Sequence, residues 1–138
     1  MVSLDPARLG AFCWLDLAAT DVARAKLFYA QAFGWAFSEQ HANGGSFTRC
    51  LAGGRDVASV YQLNRAQMER GVPSHWTPYL RVASADATAR LIAALGGRLV
   101  VAPFDVQGNA RIALIEDAVG ALVGLWQPLR DPSRSRLP

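Results

Sequence analysis

The chain has 138 residues, of which 51% are hydrophobic and 18% charged, with a formal net charge of +3 at neutral pH. Those proportions suit a single domain with a real core and exclude a disordered or low-complexity chain. Arg130, Arg134 and Arg136 all lie in the C-terminal stretch, so the body is close to neutral and nucleic acid is not an expected partner.

Residues 1–10, with Pro6 and Gly10, read as an N-terminal arm. A strand is expected near 11–17, since Leu15 and Leu17 alternate with Trp14 and Asp16. Thr20 or Asp21 can cap a helix near 21–33, whose stripe is Val22, Ala25, Phe28, Tyr29 and Ala32, and Gly34 supplies its stop. Strands near 35–40, 46–52 and 56–63 follow, joined by glycine turns at 42–45 and 52–55. Residues 64–76 form a connector in which 66–70 suit one helical turn. A strand from Trp76 to Val82 and a helix near 85–95 come next, then strands near 98–102, 110–116 and 121–127. Glu116 and Asp117 read as a strand end entering a turn, and 129–138 as a flexible tail.

This order contains a repeat. Leu17 maps to Leu80 and Gly34 to Gly97, both at an offset of 63, and the helical stripe returns as Ala85, Thr88, Leu91, Ile92 and Leu95. The chain therefore reads as two βαβββ modules, about 11–63 and 77–128, in one domain spanning 11–128.

Each module has one helix to cover one sheet face. Cys13, Leu15 and Leu17 are expected beneath the first helix, leaving Phe12, Trp14 and Asp16 opposite. Pro78, Leu80 and Val82 belong under the second, leaving Thr77, Tyr79 and Arg81; the last strand leaves Gly124 and Trp126 on that same open face. A face carrying Trp14, Tyr79 and Trp126 is unlike a merely solvated one and suits a small-molecule chamber, with Gly124 expected to leave space between the rings. Plain core between modules is the competing reading of these rings. Asp16 and Arg81 share the face, as a structural ion pair or as ligand contacts.

The segments Asp16–Val22, Phe28-Tyr29, Phe33-Gly34-Trp35, Pro73–Trp76, Leu95-Gly96-Gly97 and Gly120–Pro128 resemble the vicinal oxygen chelate superfamily. That group includes glyoxalase I, bleomycin-resistance proteins and extradiol dioxygenases. The resemblance covers residues 11–128 and implies an α+β fold, two βαβββ modules forming a cupped eight-stranded mixed sheet, often in a homodimer. It also implies metal ligands at four strand positions, which fall here on Trp14, Ser59, Thr77 and Gly124. None of these is a metal ligand of the usual kind. The two histidines, His41 at a turn and His75 in the connector, fall elsewhere.

The expectation is a metal-independent protein with no cofactor that binds a small aromatic or planar molecule through Trp14, Asp16, Ser59, Thr77, Tyr79, Arg81, Gly124 and Trp126. The alternative is a lyase, isomerase or dioxygenase of the same group with a displaced metal site, and a third reading is a dimeric interaction module without a ligand. No segment resembles a signal peptide and no run is apolar for long enough to cross a membrane, so a soluble cytoplasmic homodimer is expected. In that compartment Cys13 and Cys50 read as small buried hydrophobes.

Overall fold

A computed structural model of the chain describes residue 5 and residues 7–42, 45–106 and 110–129. Half of the expected arm, the centre of the 42–45 turn and the tail from residue 130, with its three arginines, lie outside the described residues. The first half of the chain forms β1 (Phe12–Ala19), α1 (Val22–Phe33), β2 (Ala36–Ala42), β3 (Gly45–Ala52) and β4 (Arg55–Gln62). A short α2 (Arg65–Glu69) precedes β5 (His75–Arg81), α3 (Ala85–Ile92), β6 (Arg98–Val106), β7 (Ala110–Glu116) and β8 (Leu122–Pro128). The fold is the expected α+β arrangement, with eight strands in the order β2-β3-β4-β1-β5-β8-β7-β6. The β1–β4 and β5–β8 pairs are parallel, whereas β2–β3, β3–β4, β6–β7 and β7–β8 are antiparallel.

The helix starts are built from local chemistry. Asp21 accepts the Arg24 amide and Ser84 accepts the Ala87 amide, each satisfying a donor that the first helical turn leaves free. Asn64 and Gln67 form a reciprocal capping box on α2. The offset of 63 holds for both helix starts, Val22 and Ala85, but not for the stops. Gly34 ends α1 in the left-handed region at φ 73°, whereas in the second module Gly96 takes that conformation at φ 91°. Gly97 is needed for a different reason: a Cβ there would lie 2.8 Å from Ile92 Cγ2 and closer still to the Glu116 carbonyl. Helix α3 accordingly stops at Ile92, short of the expected residue 95.

The chain divides into two compact units, residues 15–77 and residues 1–14 with 78–138, so β1 and β5 each contribute to both. In unit 15–77 the core is Leu17, Ala19, Cys50, Ala58 and Val60, with Val22, Ala25, Tyr29 and Trp35 packed against it. Helix α1 packs chiefly on β4 and buries no residue completely. That corrects two expectations. Leu15 is 46% exposed, because α1 covers only the C-terminal half of β1, and Phe28 is 58% exposed although it lies on the predicted stripe. In the other unit α3 packs on β6, β7 and β8, over Ala113, Ile115 and Leu125 with Val82, Ile92 and Val123. Cys13 joins a separate cluster, on the opposite face of that sheet, with Trp14, Tyr79, Ala110 and Ile112.

Candidate functional site

The strand registers place the expected site residues on definite faces. In the unit containing β6–β8, Tyr79 pairs with Gly124 and Arg81 with Trp126 across β5 and β8, while Ile112 and Leu114 pair with Trp126 and Gly124 across β7 and β8. Paired residues project to the same side, so Tyr79, Arg81, Ile112, Leu114 and Trp126 share the face opposite α3. Trp14 joins them: its ring lies 5.7 Å from that of Trp126 at an interplanar angle of 34°. Tyr79 meets Trp126 edge-on at 5.9 Å. Trp14, Arg81 and Trp126 are part-exposed, whereas Tyr79 is 3% exposed.

Gly124 does not open a space, and here the expectation is corrected. A Cβ built on it would fall on the Tyr79 ring, closest to Cδ2 and Cε2 and 2.7 Å from Cγ. The glycine is required so that the phenol can lie flat against the β8 backbone. The aromatic face is therefore floored by Tyr79, with its two indoles and Arg81 part-exposed.

Asp16, Ser59 and Thr77 belong to the other unit. Asp16 and Ser59 are register partners of the parallel β1–β4 pair, and the Ser59 hydroxyl donates to Asp16 Oδ1 at 2.8 Å. Ser59 and Thr77 are buried, and Asp16 is part-exposed. Arg49, paired with Ser59 across β3 and β4, carries its own bidentate ion pair with Asp56. The Tyr61 phenol is pushed up to about 12 by burial and then by the Asp16 carboxylate, so it stays a proton donor at neutral pH. This face is polar and hydrogen-bonded where its counterpart is aromatic.

The positions where the resemblance implies metal ligands do not fit a metal. Trp14 and Gly124 supply no donor atom, and the place of a side chain at 124 is filled by hydrocarbon from Tyr79. Among the described residues no three His, Cys, Asp or Glu side chains gather to hold an ion. His75 Nδ1 lies 2.8 Å from the Pro73 carbonyl oxygen in the connector, and His41 is exposed on β2. Neither thiol is activated: burial raises the Cys50 thiol to about 11, and burial also raises Cys13. The acidic pair at 116–117 is structural, since Glu116 pairs with Arg98 and Asp117 Oδ1 accepts the Val119 and Ala121 amides of the turn.

Sequence reasoning missed a five-ring cluster in unit 15–77. Tyr29 stacks on Trp35 at 4.8 Å and meets Trp76 edge-on at 5.7 Å, and Phe28 and Phe33 extend the array along α1. The signal was present in Phe28, Tyr29, Phe33 and Trp35, but helical periodicity counts such rings as core without distinguishing the exposed ones.

Residues 11–125 match the family model of the Glyoxalase/Bleomycin resistance protein/Dioxygenase superfamily. The chain belongs to that superfamily. It is 34% identical over 125 residues to the protein CFP32 of Mycobacterium bovis, a match covering 89% of this chain and 48% of that one. It is 32% identical over 129 residues to the anthracycline biosynthesis protein DnrV of Streptomyces peucetius, covering 86% of this chain and 47% of DnrV. The chain thus spans about half the length of these relatives. Among solved structures, methylmalonyl-CoA epimerase from Mycobacterium tuberculosis superposes with a TM-score of 0.61 at 21% identity, covering 94% of this chain and 98% of the epimerase. That likeness is one of fold.

Proposed function

We propose that the protein binds a planar aromatic small molecule without a metal ion, on the sheet face that carries Trp14, Arg81 and Trp126. The observation that carries this reading is the pair of part-exposed indoles 5.7 Å apart on one face. Their rings touch, so a ligand lies along their exposed flank, where stacking on an indole is favourable. Arg81, the register partner of Trp126, can meet a carbonyl or carboxylate at the edge of such a ligand. Buried Tyr79 and Gly124 hold the indole in place from below, and Ser59 and Thr77 are too buried to contact a ligand directly. The similarity to DnrV, a protein named for anthracycline biosynthesis, supports a planar-ring ligand.

The test is titration with 2-naphthoate followed by the nitrogen-15 indole N–H signal of Trp14, which reports this face, comparing the parent with Trp126→Ala. About tenfold weaker association in the variant is expected, since a stacking partner contributes roughly 0.5–1.5 kcal/mol beyond the contact area that is lost with it. Equal affinity would place the ligand elsewhere. Elemental analysis of protein prepared without chelator is expected to show no stoichiometric transition metal; one tightly bound equivalent would favour lyase, isomerase or dioxygenase chemistry instead.

A second copy of the chain is the proposed protein partner. Leu91, Leu95, Val100 and Phe104 leave apolar surface exposed on α3, the turn after it and β6, the kind of surface that a second copy covers. A monomeric mass in light scattering at micromolar concentration would refute this.

A further inference from the structure

A groove of about 320 Å³ opens in unit 15–77, on the helix side of β1. It exists because α1 leans over β4 and leaves β1 only partly covered. Leu17, Ala19 and Ala25 supply small apolar surface, Phe28 and Tyr29 supply rings, and Thr20, Asp21, Arg24 and Ser74 supply polar groups. Its volume falls at the lower end of the range for small-molecule sites, whereas the neighbouring cavity beside Lys26 and Glu39, at about 180 Å³, falls below it.

The hydrogen-bond inventory of this lining is one-sided. The Trp76 indole donates to the Tyr29 hydroxyl at 3.1 Å, and no acceptor among the described residues takes the phenolic proton. Ser74 Oγ accepts the Thr20 amide at 3.0 Å and lies 3.1 Å from Thr20 Oγ. Two hydroxyl protons share that one contact, so one is left over whichever oxygen donates. The Arg24 guanidinium is exposed and makes no side-chain hydrogen bond or ion pair with the described residues, while Oδ1 of the one acid, Asp21, is engaged by the Arg24 amide. The lining therefore offers a phenol proton, a hydroxyl proton and a guanidinium beside an apolar floor, against one carboxylate oxygen, Asp21 Oδ2. A donor left unmatched against a bound ligand is costly, which makes such a site selective for acceptors.

We infer that this groove is a second small-molecule site, distinct from the Trp14–Trp126 face, and that it takes an aromatic ring bearing acceptor oxygens, such as an aryl carboxylate. The ring packs on Phe28, whose 58% exposure leaves its side open, and the oxygens accept from Tyr29, the Thr20–Ser74 pair and Arg24.

The four tryptophans make the test separable from that of the first site. Full-length protein labelled with nitrogen-15 is titrated with 2-naphthoate and, in parallel, with 2-naphthylmethylammonium, which carries the same ring but donors in place of acceptors. The indole N–H signals are assigned by single Trp→Phe changes. The Trp76 signal reports the groove because its N–H is bonded to Tyr29, and those of Trp14 and Trp126 report the sheet face. Expected is a saturable shift of the Trp76 signal with naphthoate, at least tenfold tighter than with the ammonium compound. Phe28→Ala should weaken it about tenfold with the spectrum otherwise preserved, since the ring is exposed, and Arg24→Gln about threefold. A Trp76 signal that stays fixed while those of Trp14 and Trp126 move would refute the groove and keep the first site. A moving Trp76 signal with Trp14 and Trp126 fixed would do the reverse. Equal affinity for the two compounds, or an unaltered constant in Phe28→Ala, would also overturn the assignment.

Discussion

The two modules repeat one chain plan yet finish their sheets in opposite ways. In the second, α3 covers three strands and the other face is closed at its floor by Tyr79 lying on a glycine, with the indoles of Trp14 and Trp126 left part-exposed. In the first, α1 covers chiefly one strand, the opposite face is a hydrogen-bonded polar set around Asp16 and Ser59, and the rings sit on the helix side instead. The contrast starts with residue size. Position 124 is a glycine with the Tyr79 ring laid on it, whereas Ser59 carries a hydroxyl that donates to Asp16. A duplicated backbone fixes where strands and helices fall; the side chains then decide what each face of each unit presents.

The largest expected effect breaks the closed face. Gly124→Leu forces the Tyr79 ring off the β8 backbone, and overpacking of this severity is expected to cost about 3 kcal/mol or more. Thermal melting followed by circular dichroism should show the loss, and Tyr79→Ala in the same chain should recover part of it. A Gly124→Leu protein as stable as the parent would mean that the ring has another place to go.

Next comes the core of the first module. Leu63 is 1% exposed and its amide donates to the Ala19 carbonyl at 2.8 Å. Leu63→Ala should destabilise by about 2–4 kcal/mol in urea unfolding through the cavity it leaves. If the loss is under 1 kcal/mol, the open module is more loosely packed than its burial indicates.

Ser59→Ala sharpens the polar side of the comparison. It removes a donor from a part-buried carboxylate, so a cost of about 1–3 kcal/mol is expected. Urea unfolding of the variant beside the parent measures it. An unaltered midpoint would show that the other contacts of Asp16 dominate.

The smallest effect concerns acid. In the closed module Arg111 holds the Asp86 carboxyl below its ordinary value of 3.8 by hydrogen bonding, and it also pairs with Asp105. A carboxyl lowered in the folded state contributes stability that is present above the ordinary value and fades as pH falls through the folded value. Stability should therefore decline below about pH 4, and Arg111→Gln should flatten that part of the curve. These groups are exposed, so salt should weaken the difference. An acid limb unaltered in Arg111→Gln would assign it to other carboxyls.

The sequence alone was enough for the element order, the helix starts 63 residues apart, a first cap at Thr20 or Asp21, the turn at Asp117 and the family resemblance. Each rests on spacing or on a contact only a few residues long, so local chemistry suffices. The alternation that put Trp14, Tyr79 and Trp126 on one face was legible for the same reason, since a strand reverses its side chains at every residue. Only the tertiary structure decided what occupies the space above Gly124, because that depends on Tyr79, a residue from a different strand. It alone showed that α1 leaves Phe28 and Leu15 outside, since a helical stripe records which residues face inward but not how far the helix reaches across its sheet. The groove beside Thr20, Arg24, Tyr29 and Ser74 was beyond sequence reading for the same reason. Its lining comes from the start of α1, the strand beneath it and a connector residue some fifty positions away, brought together only when the chain packs.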